Sequence, residues 1–419
     1  MYRINAAVVI PGRGAPIRDG AVVIDDDRIS YVGPRTLAPP HLEANTITAA
    51  AVMPGLWDCH VHFSGVRNGV STQELMLTPT PLAAARAAKD AERLLQAGFT
   101  SVRDLGGHGI HLAAAVDEGT LAGPSIYGAG KVISQTGGHA DAAGLPYQWV
   151  SDPCRSEGML MVADGEAECV KAVRLQLRSG AKVIKVCTSG GVISERDNPY
   201  HRQYSDGELR AIVEEAGRAE RVVAAHCHGK AGIMAAVAAG CTTIEHGSQI
   251  DDETAACLKE SGAILVPTRT VFAALAAGLH LLPPAWRAKV ERLAAEHLAS
   301  LRTAIEAGVT TAAGTDLGLS TSGTPVSHGA NGAEFGHLVA AGLTPLQAIE
   351  AGTAAAPLTL GRQAPRAGLL AEGYDADVIA LSADPLADIA VLAQPDKITH
   401  VWRHGSLVKS PERTVRTAA

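Results

Sequence analysis

The chain has 419 residues, 47% hydrophobic and 19% charged, with a formal net charge of −7. That balance is ordinary for a globular enzyme, and no clustered basic patch marks a nucleic-acid footprint. The length exceeds one small domain and suits a large barrel with an accessory domain.

The opening residues lack a basic start, a sustained apolar run and a small-residue cleavage site, so no signal peptide is read there. Ala-rich stretches are broken by charges and glycines, so no membrane span is expected. Cys59, Cys154, Cys169, Cys187, Cys227, Cys241 and Cys257 are odd in number and form no CxxC pair. Reduced thiols in a cytoplasm are the expectation, and a cysteine-ligated zinc site is rejected.

In chain order, residues 21–25 and 28–33 alternate like short strands separated by Asp-rich and Gly turns. Residues 376–381 and 398–403 repeat that pattern at the other end. One small β-sandwich domain built from residues 1–52 and 360–419 is predicted, with residues 53–359 inserted as the catalytic domain. Eight strands are predicted in the insert, at 52–63, 101–105, 125–133, 182–187, 221–228, 242–246, 263–268 and 310–316. Helix-period segments 81–98, 165–180, 205–219, 251–262 and 285–308 lie between them. Gly98, Gly180, Gly262 and Gly308 stand where helices should stop. Repeated strand–helix alternation predicts an α/β protein with a closed parallel (β/α)8 barrel of the TIM type; an open doubly wound sheet is the alternative.

A barrel places its active site at the C-terminal strand ends. There the chain carries His60, His62 and Ser64 on one face of the first strand, Lys185 on the fourth, and His226 and His228 on the fifth. His246 ends the sixth strand and Asp316 the eighth. Singly, each has a plain structural reading: a satisfied strand-end histidine, a snorkelling lysine, a helix cap for Asp316. Jointly, five strand ends present a ligand or a base.

That constellation resembles the amidohydrolase superfamily of metal-dependent hydrolases. The resemblance implies a buried divalent metal on His60, His62 and Asp316 and a more exposed one on His226 and His246. Lys185, carboxylated by carbon dioxide, would bridge them as a carbamate. An ammonium cannot ligate a cation, but a buried lysine with a depressed pKa can react as the free amine. Imidazole and carboxylate suit zinc or manganese, with zinc the first expectation. Two such cations would acidify a water and polarise a carbonyl. Asp316 would then serve as general base and general acid.

The segments Gly137-Gly138-His139, Gly190-Gly191-Val192-Ile193 and His226-Cys227-His228-Gly229 narrow the resemblance. They are similar to the branch holding Xaa-dipeptidases, prolidase-like carboxypeptidases and ochratoxinase, which cleave amides whose amine side is an amino acid with a free carboxylate. His139 and His228 would touch the substrate carbonyl or carboxylate and take part in catalysis; hydrogen-bonding support behind the metal-binding residues is their structural reading. Ser64 would touch substrate or water, and Arg202 or Tyr204 would grip a carboxylate. Val192 and Ile193 would line an apolar pocket. The sequence offers no evident acidic pair for a cationic side chain, so a neutral or aromatic leaving residue is expected, with ochratoxin A as a candidate substrate. The partner is then a small-molecule amide rather than a nucleic acid or a membrane, and family resemblance suggests a homo-oligomer, up to an octamer. The alternatives are a lactonase, phosphotriesterase-like or cyclic-amide hydrolase on the same scaffold, or a catalytically dead relative.

Overall fold

Pro54 and Gly55 divide the first predicted strand in two. The computed structural model, which describes residues 1–40, 45–69, 72–152 and 159–411 and so leaves Cys154 outside, places β1 (Tyr2–Val9), β2 (Ile17–Asp25), β3 (Arg28–Pro34) and β4 (Thr46–Pro54) before that break and β5 (Leu56–Val66) after it. Proline has no N–H for a ladder, and the Gly55 N–H leaves the strand direction to donate to Asp377 O at 2.9 Å. Further parallel strands follow: β6 (Phe99–Asp104), β7 (Ser125–Gly128), β8 (Val132–Ser134), β9 (Leu160–Val162) and β10 (Val183–Cys187). Then come β11 (Val222–Cys227), β12 (Thr243–His246), β13 (Ile264–Val266) and β14 (Leu317–Leu319), before β15 (Val378–Leu381), β16 (Ile398–Arg403) and β17 (Ser406–Lys409).

Strands from both ends of the chain share one seven-stranded sheet, in the order β17-β16-β15-β4-β1-β2-β3. Its strands alternate faces. Ile4, Val9, Ile24, Val378 and Trp402 form a core of their own on one side, while Val8, Met53, Ile379 and Val401 on the other join the main core. A sandwich needs a second facing layer; among the described residues the terminal strands form this single sheet.

The inner strands form two parallel sheets, β13-β12-β11-β10-β8-β9 and β14-β5-β6-β7, rather than one continuous ladder. Two more predicted strands are broken. Residues 125–133 split into β7 and β8 at a bend where Gly130 has φ +77°. Residues 310–316 are not a strand: one bridge, Thr311 to Leu265, and single backbone bonds to β5 precede the left-handed Asp316, and ladder pairing with β5 is found in β14. Strands β10 and β12 are buried at every position, as expected for parallel strands covered on both faces.

Helices lie near their predicted places, at Thr80–Gln96, Gly165–Ser179, Asp206–Arg218, Asp252–Ser261 and Pro284–Ala307. Ser205 and Glu208 form a capping box before the third of these. Gly180, Gly262 and Gly308 are left-handed C-caps, as predicted. Helices Lys230–Ala239, Arg269–Ala277 and Ala333–Ala341 were not foreseen. No helix among the described residues is long and apolar enough to cross a membrane.

Candidate active site

The strand ends converge on one cavity of about 710 Å³, lined among others by His60, His62, Ser64, His139, Lys185, His226, His228, His246 and Asp316. The first strand explains how an imidazole can be aimed. His60 Nδ1 lies 2.8 Å from Glu245 Oε2, so its Nε2 turns inward, 3.3 Å from Lys185 Nζ and 3.4 Å from Asp316 Oδ1. His62 Nδ1 lies 2.8 Å from Gly106 O, and its Nε2 is 3.0 Å from Asp316 Oδ1. His226 Nδ1 faces His246 Nε2 at 2.9 Å, and Thr268 Oγ1 anchors the other ring nitrogen of His246 at 2.8 Å. Anchoring one ring nitrogen fixes the tautomer and direction of the other, the arrangement that metal-binding histidines require.

His246, Thr268 and Asp316 adopt left-handed backbone, with φ of 69°, 52° and 59°. Such conformations cost about 1–3 kcal/mol each and persist where the surroundings over-determine them. At His246 and Asp316 they accompany side chains that line the cavity, and at Thr268 a hydroxyl that faces His246 Nδ1.

Burial would lower the His62 imidazole, but Asp316 raises it above the usual histidine value; at the other candidate histidine ligands and at Lys185 the electrostatics suit neutral side chains. Burial drives the His60 imidazole down to about 4, helped by Lys185 and opposed by Asp316 and Glu245. Burial, then neighbouring imidazoles, holds His226, His228 and His246 well below the usual histidine range. Burial also lowers the Lys185 amine, against the pull of Glu245 and Asp316. Burial alone would raise Asp316, but His60 and His62 hold it below the ordinary carboxylate range. A divalent cation fits this set: His60, His246 and Asp316 place one ligand atom each within 4.8 Å of one another, and so do His226, His228 and His246. Neutral imidazoles, an ionised carboxylate and an amine prone to lose its proton are the forms that such a cation needs.

His139 stacks on His226 with ring centroids 4.2 Å apart. His228 Nδ1 is 2.9 Å from Ser248 Oγ. Val192 and Ile193 reach the cavity and join Val271, Phe272, Leu282 and Trp286 in an apolar wall. Ser64 also reaches it, but its hydroxyl donates to Gly318 O at 2.7 Å and accepts from Val66 N–H, so it is already committed to the backbone.

Arg202 and Tyr204 are not brought to the cavity. The Arg202 guanidinium donates to Tyr204 O and pairs with Asp206, four residues on. The Tyr204 ring is buried in the main core, and its hydroxyl donates to Ala163 O at 2.9 Å. Lys185 is the only lysine or arginine lining the cavity among the described residues. Two acids line it that the sequence reading did not place there, Asp141 and Glu195.

The supporting residues were also missed. Arg103, buried, donates to Glu245 Oε1 at 2.6 Å and to Cys59 O at 2.6 Å. Asp58 accepts from Asn331 at 2.7 Å, from the Thr315 hydroxyl at 2.6 Å and from His60 N–H at 3.0 Å. It ties β5, which carries His60 and His62, to the segment that carries Asp316. Burial raises its carboxyl to about 6 against those hydrogen bonds. A charge inside a short strand, as in Thr243-Ile244-Glu245-His246, was the available signal, because a buried charge needs a partner.

An amidohydrolase family model matches residues 51–408. The chain belongs to the amidohydrolase family. Ochratoxinase of Aspergillus niger is 45% identical over 424 residues, spanning 97% of this amidohydrolase and 86% of that protein. Its crystal structure superposes with a TM-score of 0.90 at 43% identity, over 98% of this chain and 96% of that one. A prolidase complexed with N-methylphosphonate-L-proline gives 0.88 at 35% identity, over 98% and 99% of the two chains. A Xaa-Pro dipeptidase with bound methionine gives 0.87 at 31%, over 98% and 100%. The resemblance read from the strand-end motifs, to the branch of ochratoxinase, prolidases and Xaa-dipeptidases, is borne out. This amidohydrolase is a hydrolase acting on carbon–nitrogen bonds of the amide type.

Proposed function

We propose that the chain is a binuclear metal-dependent amide hydrolase that releases an amino acid with a free carboxylate from an N-acyl amino acid or dipeptide, ochratoxin A included. The observation that carries this reading is the convergence of His60, His62, Lys185, His226, His246 and Asp316 on one deep, largely apolar cavity. His60, His62 and Asp316 would hold one divalent ion and His226 and His246 the other, with Lys185 as a carbamate between them; zinc suits the donors. When bound, such ions supply Lewis acidity and lower the pKa of water. Asp316 takes the proton of the attacking water and passes it to the leaving amine. His139 and His228 donate to the substrate carbonyl and carboxylate, since among the described residues no arginine lines the cavity for that task. The wall around Val192, Ile193, Phe272 and Trp286 receives an apolar group.

The two parallel sheets are taken as arcs of one (β/α)8 barrel spanning residues 53–359, beside a terminal domain of residues 1–52 and 360–419. Backbone hydrogen bonds across both gaps support this: Lys182 N–H to Gly128 O and Leu265 N–H to Thr310 O, each 2.9 Å.

Metal analysis of protein purified without chelator should find about two equivalents per chain, and activity should vanish on chelation and return on zinc addition. Full activity in metal-free protein would refute the metal assignment. For substrate, kcat/KM for an N-acyl phenylalanine should exceed that of its methyl ester by about tenfold or more, because masking the carboxylate leaves buried donors unpaired. Preference for the ester would remove the carboxylate argument. Asp141 and Glu195 favour one second reading, a cationic leaving residue, and an N-acyl arginine turned over faster than the phenylalanine compound would select it. A dominant lactonase or phosphotriesterase activity would select the other hydrolases of this scaffold.

A further inference from the structure

Lys289 has no role in the reading above, yet it is built into the site. It lies on the helix Pro284–Ala307, one turn after Trp286 of the apolar wall, and the two share a helix face. A surface lysine normally extends its ammonium into water. Lys289 Nζ instead donates to Gly191 O, Ser194 O and Asp197 Oδ1, each at 2.9 Å, within the loop that follows β10. With Ser194 Oγ at 3.2 Å, four acceptors surround the three donors of the ammonium.

That loop encloses His139. Gly191 packs so close that a Cβ there would clash with the imidazole. Ser194 Oγ and Asp197 Oδ2 lie 3.2 and 3.6 Å from His139 Nδ1. Asp197 also accepts from Gly191 N–H at 2.7 Å and from the Ser194 hydroxyl. With one ring face on His226 and Nδ1 taken by the loop, the opposite edge, with Nε2, is what His139 offers to the cavity.

We propose that Lys289 is a positioning residue: through Gly191, Ser194 and Asp197 it fixes where His139 presents its free edge to the substrate. This rests on the reading of His139 as a substrate contact. Lys289 and Trp286 ride on one helix, so the placement of His139 is tied mechanically to the wall that receives the apolar group.

A double-mutant cycle on metal-replete protein, with an N-acyl phenylalanine as substrate, tests it. His139→Ala and Lys289→Met should each lower kcat/KM by about 10- to 100-fold, the usual cost of a misplaced site group. With His139 already replaced, Lys289→Met should add less than about twofold, because the two residues act as one unit. Additive losses would overturn the positioning role and leave His139 as a substrate contact. Unchanged kcat/KM in His139→Ala would remove that contact and this proposal with it. If Lys289→Met does not fold, Asp197→Asn, of native size, takes its place in the cycle with the same expectations.

Discussion

Asp316→Asn is expected to lower kcat by about 10²–10⁴, the usual contribution of a general acid–base group, while the protein folds and keeps its metals. Asparagine retains the shape of the side chain and one oxygen for a ligand, but it cannot accept a proton from water and deliver it to an amine. The backbone adds a reason to expect an intact fold. Asp316 sits at φ +59°, a left-handed conformation that asparagine tolerates better than almost any other residue except glycine. Its two backbone anchors, Asp316 N–H to His60 O at 2.7 Å and the Asp58–Thr315 bonds, do not involve the carboxylate. The check is kcat with metal content and circular dichroism measured on the same preparation. A metal-replete variant with near-normal kcat would require another base.

Much of the site was legible because polar side chains stand out in short, largely aliphatic runs. His226 and His246 stand at or near strand ends, while His60, His62 and Lys185 lie inside β5 and β10, and the period-two pattern placed the paired histidines on one face. The strand limits erred where pattern and geometry part. Ala129-Gly130-Lys131 continues a strand reading through a bend, and Gly314-Thr315-Asp316 reads as a strand end but is irregular backbone ending in a left-handed residue. Arg202 and Tyr204 failed for another reason. They lie in a loop, where no period fixes direction, and local partners, Asp206 and the Ala163 carbonyl, claim both side chains. The residues that aim the ligands were out of reach because their partners are remote in sequence. Arg103 meets Glu245 across 142 positions and Asn331 meets Asp58 across 273. The apolar roof was missed because the helix Arg269–Ala277 follows β13 with no cap signal; Thr268 makes no side-chain cap, its hydroxyl facing His246 instead.

Arg103→Met is expected to destabilise the protein by about 3–5 kcal/mol, the cost of stranding a buried charge. Both side chains of the Arg103–Glu245 pair are 0% exposed. Burial would raise the Glu245 carboxyl, but Arg103 and His60 hold it down at about 2, so it is ionised at neutral pH and depends on the guanidinium. Methionine fills much of the arginine's volume and cannot compensate that charge. Because Glu245 also anchors His60 Nδ1, the loss should reach the site: metal affinity should fall by about 10–100-fold, as it does when the partner of a ligating histidine is disturbed. The double variant Arg103→Met with Glu245→Gln separates charge from packing. A neutral amide no longer needs the guanidinium, and its oxygen can still accept from His60, so the double variant should be more stable than Arg103→Met alone. Urea unfolding of all three proteins, with metal content measured alongside, decides it. A double variant no more stable than the single one would show that Arg103 acts through its contacts with Cys59 O and Thr243, rather than by neutralising Glu245.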